Sequence, residues 1–300
     1  MSLLVSVIIP TYNRAADLAR ALDSVLRQTY PYWEVLVIDN HSTDNTYEVV
    51  HQLSDARIKW LEITNKGVIA ASRNLGIRHA NGEFIAFLDS DDFWQPDKLE
   101  KSMFWLGQGF DIVYHDMHII SKKRFYIGPR KFITRQLVPP VLNDLLVNGN
   151  TLPTSSVVVR KDVLDQVGGF REDVEIIAGE DYELWLKLSA ITQRFKQIDD
   201  TLGYLSRGND NASSAIRYIS IISIIEEQYI NGLSTEEQRR AYINWVDYLR
   251  ARSQYIERNY DDAQRKLIII LATSNNVSYR MKAMFMLIVI FVRKFARLSS

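Results

Sequence analysis

Over its first two hundred residues the chain alternates short apolar runs with stretches of helical period. Residues 4–9 (LVSVII) form a β-rich run, after which Leu18, Leu22, Val25 and Leu26 recur at helical spacing. Residues 34–38 predict a second strand and 44–53 a second helix. Along 57–63 the side chains alternate (Ile58, Trp60 and Glu62 against Lys59, Leu61 and Ile63), which predicts a half-exposed strand. A helix follows over 68–79, and 84–88 (FIAFL) is apolar throughout, as a strand covered on both faces should be. Strand, helix, strand in this rhythm predicts right-handed crossovers and a mostly parallel α/β sheet with helices on both faces.

The rhythm breaks between 116 and 160, where basic and proline-containing segments (122–124 and 139–140) predict loops with short strands. Residues 157–160 read as a strand, and 161–167 as a helix stopped by Gly168-Gly169 in the left-handed conformation. Residues 180–190 predict a helix with Leu184, Trp185 and Leu188 along one side. Beyond Asn211 turn residues thin out, and 218–230, 235–259, 261–271 and 279–298 all read as helical. The expected organisation is an α/β domain over 1–213 and a helical region over 214–300.

Composition narrows the class. The 300 residues carry 36 basic and 36 acidic side chains, and this neutrality argues against a protein that binds nucleic acid by displacing counterions. With no cysteine there is no disulfide framework, no thiolate zinc site and no cysteine nucleophile. The opening MSLLVSVIIPTYNR has no basic segment before its apolar run, which argues against a signal peptide. No stretch reaches the roughly 18 apolar residues of a spanning helix, so a cytoplasmic location is expected.

Ligands of open α/β sheets bind where the strands end at their carboxyl sides. The first strand is followed by Pro10-Thr11-Tyr12-Asn13-Arg14, which contains neither a dinucleotide-binding glycine motif nor a P-loop. The second ends in Asp39-Asn40-His41-Ser42-Thr43-Asp44, and the fourth in Leu88-Asp89-Ser90-Asp91-Asp92. Three carboxylates so close together repel one another unless a cation joins them. Hard oxygen donors beside phosphate suit Mg²⁺ or Mn²⁺. Taken alone, the cluster reads first as an Asp-rich turn capping the helix that begins near Pro96. Asp39 equally suits a turn cap, Arg73 a surface ion pair, and Glu180, Asp181 and Glu183 the favourable acids of a helix first turn. Asp116 suits either a sugar contact or a structural bond, and the histidines form no H-x-x-x-H pair.

The blocks SVIIPTYNR, LDSVLRQTYPYWEVLVIDNHSTDNT and NKGVIAASRNLGIRHANGEFIAFLDSDDFWQPDKLE, followed by VGGFRED and GEDYELWLKL, closely resemble family 2 glycosyltransferases of the GT-A fold. The resemblance implies an inverting, metal-dependent transfer of a hexose from a UDP-sugar to a hydroxyl of a glycan or lipid-diphosphate-linked acceptor. It divides 1–213 into a nucleotide-binding half (1–115) and an acceptor-side half (116–213). Pro10 and Tyr12 would flank the base, Asp39 would accept from the uracil N3–H, and Arg73 would reach the base or phosphates. Asp89 would sit near ribose and metal, Asp91 would be the main ligand of Mn²⁺ or Mg²⁺, and Asp181 the general base. Gly168, Gly169, Phe170 and Glu180 would line the acceptor side, and Arg207 would contact phosphate. The histidine that many members carry near this point, as a third metal ligand, is missing from 205–214. The Asp-x-Asp-Asp form is similar to that of enzymes adding glucose or galactose to lipid-linked repeat units of bacterial surface polysaccharide, such as O-antigen or capsule. A sugar-1-phosphate nucleotidyltransferase would need a Gly-rich, Arg-containing loop after the first strand. A non-catalytic relative would have no need of all of Asp39, Asp89, Asp91 and Asp181.

Charge is unevenly spread, since residues 263–300 carry seven basic and no acidic side chains. Within them 281–292 (MKAMFMLIVIFV) is too short to span a bilayer and is bracketed by Arg280, Lys282, Arg293, Lys294 and Arg297. Residues 280–298 therefore read either as a peripheral contact with the inner membrane's cytoplasmic face or as a helix packed on its own domain or a second subunit.

Overall fold

The computed structural model describes residues 3–121, 130–207, 221–233, 235–274 and 277–298. The chain forms two compact units, one of residues 1–141 with 151–209 and one of 142–150 with 210–300.

In the first unit the apolar runs become β1 (Val5–Thr11), β2 (Trp33–Asp39), β3 (Ile58–Glu62) and β4 (Phe84–Phe87). They pair in the order β3-β2-β1-β4, all parallel, as the alternation with helices predicts. Side chains of β1 point alternately to the two faces. Val5, Val7 and Ile9 pack with Leu18, Leu22 and Val25 of α1 (Ala15–Leu26) and with Leu99, Met103 and Leu106 of α4 (Lys98–Gly107). Ile8 faces the other way, under α3 (Ile69–His79). The short α2 (Thr46–Gln52) adds Val50 to the first face. Edge strand β3 is only half-buried, in keeping with its alternating sequence.

The remaining strands are β5 (Phe93–Trp94), β6 (Ile112–Ser121), β7 (Arg130–Phe132), β8 (Val158–Arg160) and β9 (Phe195–Arg207). Strand β8 enters antiparallel between β4 and β6, while β9 runs parallel to β6 and carries β5 on its far side. The full order is thus β3-β2-β1-β4-β8-β6-β9-β5 with β7 on β6, half parallel and half mixed. The second half departs from the pattern read in the sequence. Strand β6 runs on through Asp116, whose Oδ1 accepts from the Thr134 N–H (2.8 Å) and hydroxyl (2.7 Å), a structural bond. Strand β9 escapes a period-two search because its pairing with β6 shifts register around Asp116. Residues 141–148 form helix α5 (Val141–Asn148) where a loop is expected, whereas 122–124 lie outside the described residues. Helices α6 (Lys161–Gln166) and α7 (Glu180–Ile191) occupy their predicted places.

The second unit contains α8 (221–228), α9 (Glu236–Ile256), α10 (Tyr260–Thr273) and α11 (Val277–Leu298). A capping box starts α9, with the Thr235 hydroxyl accepting from the Gln238 N–H and the Gln238 side chain accepting from the Thr235 N–H. Among the described residues no helix is long and apolar enough to cross a membrane.

Helix α3 lies so close to the sheet that a Cβ on Gly76 would sit 2.6 Å from Ile8 Cγ2. Ile8 is β-branched and fully buried, so it has little room to retreat. Gly76→Ala is therefore expected to cost about 1–3 kcal/mol through overpacking, read as a lower urea midpoint for unfolding.

Candidate active site

The carboxyl ends of β1 and β4 open into a cavity of about 530 Å³, lined among others by Pro10, Tyr12, Arg14, Asn40, Asp89 and Asp91. Its rim is built by joining the loops after β1 and β2. Asn13, at φ +50°, donates its N–H to the Ser42 hydroxyl (2.8 Å) and accepts from the Thr43 N–H (2.7 Å). The Tyr12 ring stands exposed at the rim. Asp39 is buried behind it, both carboxylate oxygens accepting from Ser42 through its N–H (2.8 Å) and hydroxyl. Asp39 thus holds the turn after β2, and its neighbour Asn40 faces the cavity.

The aspartates after β4 point in different directions. Asp92 turns inward, where its carboxylate accepts from the Ser155 hydroxyl (2.6 Å) and the Ser206 N–H (2.8 Å). Burial, then the neighbouring charges of Asp89 and Asp91, push its pKa well above the ordinary carboxylate value. Asp89 and Asp91, 31% and 29% exposed, face the cavity. Burial and then the charge of Asp89 raise Asp91, although Arg14 Nη1 lies 2.5 Å from its Oδ2. None of the three caps α4, whose N-cap Asp97 makes no side-chain cap bond. The capping reading is thereby replaced. Arg20 Nη2 donates to the Asp91 carbonyl (2.9 Å), tying this turn to α1.

Arg73 lies beneath the cavity, 3% exposed, rather than on the surface. Its guanidinium donates to Asp89 Oδ1 (2.7 Å) and to Glu180 Oε1 (2.8 Å), with its Cζ 5.3 Å from the Phe170 ring centre. Burial opposes that charge, but the two carboxylates outweigh it and raise the arginine's pKa further. Glu180 and Asp181 begin α7, and half-buried Asp181 accepts from the Tyr182 N–H (2.6 Å) and, at 3.3 Å, from the Thr154 hydroxyl. Burial first and the charge of Glu180 second, against the pull of Arg73, bring Asp181 up to about 7. Thr154 and Ser155 share one 3-10 turn (Thr154–Ser156). That turn binds Asp181 through one hydroxyl and Asp92 through the next, and the Asp89 N–H donates to the Ser155 hydroxyl (3.0 Å). Two independent bridges therefore join the β4 aspartates to the start of α7.

Gly168 and Gly169 both take φ +73°. A Cβ on Gly169 would lie 2.5 Å from Asn74 Oδ1, whereas one on Gly168 would meet nothing within 4 Å. Asn74 accepts from the Phe170 N–H (2.9 Å) and donates to the Phe170 carbonyl (2.8 Å), so this segment docks on α3 and sets Phe170 under Arg73. Arg207 ends β9, but its side chain and 208–220 lie outside the described residues. Arg14, Arg20, Asn74, Thr154, Ser155 and Ser206 escaped the sequence reading. Of these, Arg14 carried a signal, as the last residue of the PTYNR block.

Asp89 and Asp91 supply hard oxygens to one cavity and repel one another there, which is the donor set a small divalent cation requires. Among the described residues no cluster of three or more acidic or histidine side chains could hold a metal ion. Two carboxylates fit Mg²⁺ or Mn²⁺ when phosphate and water complete the shell.

A mixed sheet with helices on both faces and acids at its carboxyl edge is the architecture of GT-A glycosyltransferases. Residues 6–168 match the glycosyl transferase family 2 model, and the chain belongs to that family. It is 37% identical over 186 residues to the Escherichia coli UDP-Glc:alpha-D-GlcNAc-diphosphoundecaprenol beta-1,3-glucosyltransferase WfgD, a match covering 62% of this chain and 69% of that one. Two longer curated relatives are matched over 30% of their own length. In fold it is similar to S. aureus TarS in complex with UDP-GlcNAc (TM-score 0.60, 19% identity, 87% of this chain and 91% of that one). It is likewise similar to the Pyrobaculum calidifontis mannosyltransferase PcManGT in complex with GDP-Man and Mn²⁺ (TM-score 0.63, 20% identity, 98% and 80%).

Removing the Arg73 cation leaves Asp89 and Glu180 uncompensated, so Arg73→Met is expected to destabilise by about 3–5 kcal/mol in chemical denaturation. Gly168→Ala should cost only the left-handed backbone strain of about 1–2 kcal/mol. Gly169→Ala should cost clearly more, because its methyl also displaces Asn74; equal losses in thermal melts would contradict that packing.

Proposed function

We propose that this glycosyltransferase is an inverting, metal-dependent hexosyltransferase of bacterial surface-polysaccharide synthesis, taking glucose or galactose from its UDP derivative. The proposed acceptor is a hydroxyl of a saccharide carried on a lipid diphosphate at the cytoplasmic face of the membrane. The relative WfgD, named for UDP-Glc and a GlcNAc-diphosphoundecaprenol, supports UDP-glucose and this class of acceptor. The observation that carries the reading is Asp181, a half-buried carboxyl raised to about 7 and bridged by Thr154-Ser155 to the β4 aspartates.

Pro10 and Tyr12 frame the uracil at the rim, and Asp39 stiffens the turn beside it, its carboxylate also serving as the acceptor for the base N3–H. Asp89 and Asp91 would hold a divalent cation, which would neutralise charge on the departing diphosphate. Arg14, paired with Asp91 at the cavity, adds positive charge beside the same phosphates. Arg73 keeps Asp89 and Glu180 in place from below. Gly168, Gly169 and Glu180 shape the acceptor side, and Arg207 contacts phosphate. Asp181 takes the proton of the acceptor hydroxyl as its oxygen bonds to the anomeric carbon. The bond from that carbon to the diphosphate breaks, its electron pair leaving with UDP. One displacement inverts the anomeric centre, so an α-linked donor gives a β-linkage, with no glycosyl-enzyme intermediate.

Purified protein with Mn²⁺, UDP-glucose and a GlcNAc-diphospho-lipid should release UDP and lose that activity in EDTA. Asp181→Asn should lower turnover about 10²–10⁴-fold while UDP binding by calorimetry is kept. Undiminished turnover in this variant would remove Asp181 from the base role. A base must be unprotonated to act, and Asp181 is raised to about 7. Below that pH kcat/KM should therefore fall about tenfold per unit, with a plateau above it. A profile flat down to pH 5 would contradict the assignment.

A further inference from the structure

The amphipathic logic of α11 is unusual, since it is apolar on two sides. Tyr279, Ala283, Met286 and Ile290 follow helical spacing and are buried, where α11 packs on α9 and α10. A second stripe at the same spacing (Met281, Phe285, Ile288 and Phe291, with Val277, Met284 and Val292 beside it) is 53–69% exposed. Beside it Tyr248, Arg252 and Tyr255 of α9 and Lys282, Phe285 and Met286 of α11 enclose a mainly apolar trough of about 750 Å³. The cations edge this surface on aromatic faces. Lys282 Nζ lies 5.0 Å from the Tyr279 ring and Arg293 Cζ 5.2 Å from the Tyr255 ring. Among the described residues neither these two nor Arg280 has a carboxylate within salt-bridge distance, and the chain has no acidic side chain from 263 onward.

We infer that the outer face of α11, with the trough beside it, is a docking surface for an anionic phospholipid bilayer. Methionine, isoleucine and phenylalanine side chains enter the acyl boundary while Arg280, Lys282 and Arg293 reach the phosphates. An exposed apolar stripe on a helix of this length must find an apolar phase, and a helix that cannot cross a bilayer finds it by lying in the interface. Long basic side chains extend their charge from such a stripe to the headgroups. Charge selects lipid over a second copy of the chain. Two such faces brought together would oppose cation to cation with no acid of 263–298 to separate them, whereas anionic headgroups complement them. The inference stands on this unit alone and does not depend on the reaction proposed above.

The test is co-sedimentation of the full chain with vesicles of phosphatidylcholine, alone or mixed with phosphatidylglycerol. Binding to the mixed vesicles should be at least tenfold tighter than to phosphatidylcholine alone and should weaken in high salt. Phe285→Asp combined with Phe291→Asp should lower it at least tenfold. Arg280→Ser with Arg293→Ser should lower it about tenfold and flatten the salt dependence, with the far-UV circular dichroism of the folded chain kept in both variants. The arginine pair tests the surface even if the aspartate pair disturbs folding. Equal affinity for neutral vesicles, no affinity for either, or full binding by both variants would overturn the inference. So would a stable dimer in sedimentation equilibrium that the phenylalanine substitutions dissociate.

Discussion

One buried guanidinium governs the geometry of this site. Arg73, on a helix over the sheet, satisfies Asp89 at the end of β4 and Glu180 at the start of α7 at the same time. Each carboxylate would be costly to bury alone, and so would the arginine. They are stable only as a triad, and the triad draws together residues more than a hundred positions apart in sequence. The environment of Asp181 follows from it. Burial raises Asp181 first; its neighbour Glu180, paired with Arg73, disfavours a second negative charge there, and the same arginine partly offsets that repulsion. A carboxyl that titrates near neutrality is the outcome.

The aspartates after β4 divide their tasks by direction. Asp92 is an internal strut, bonded to Ser155 and to the backbone of β9, and its neighbours remain free to face the cavity. The Thr154–Ser156 turn is the second strut, because consecutive hydroxyls bind acids from two separate elements. Gly169 and Asn74 complete the support by pressing the 168–170 segment onto α3, which sets Phe170 against the Arg73 guanidinium. The turn that carries Asp89 and Asp91 is therefore braced by packed helices and strands, through Arg20 of α1 and the backbone of β9, which holds it more tightly than an unsupported loop.

The helical unit follows another rule. Its interior is closed by regular stripes on α9, α10 and α11, yet α11 keeps a second apolar stripe on its outside together with Arg280, Lys282 and Arg293, which among the described residues have no carboxylate within salt-bridge distance. In a helix that only completed a core, the outer stripe would be polar. Apolar surface and uncompensated positive charge occur together, and a negatively charged lipid surface is the phase that suits both.

Local pattern sufficed wherever neighbours in sequence are also neighbours in space. The parallel half from β1 to β4, the helices between its strands, the left-handed stop at Gly168-Gly169 and the C-terminal helices could all be read from periodicity and turn chemistry. So could the acids themselves, since three carboxylates leaving an apolar strand mark a charged edge wherever the strand lies. Strand β9 and the mixed half of the sheet were hidden, because their pairing depends on a bulge and on partners far away in the chain. The direction each acid takes was hidden too. Nothing near Asp92 in sequence announces Ser155 or Ser206, nothing near Arg73 announces Glu180, and a surface ion pair was the alternative reading of Arg73 until burial excluded it. The sequence by itself determined which chemical groups stand at the strand ends and in what order. Only the tertiary structure decided which are struts and which face the cavity, because burial, and with it the strength of every charge–charge interaction, is a property of the packed molecule.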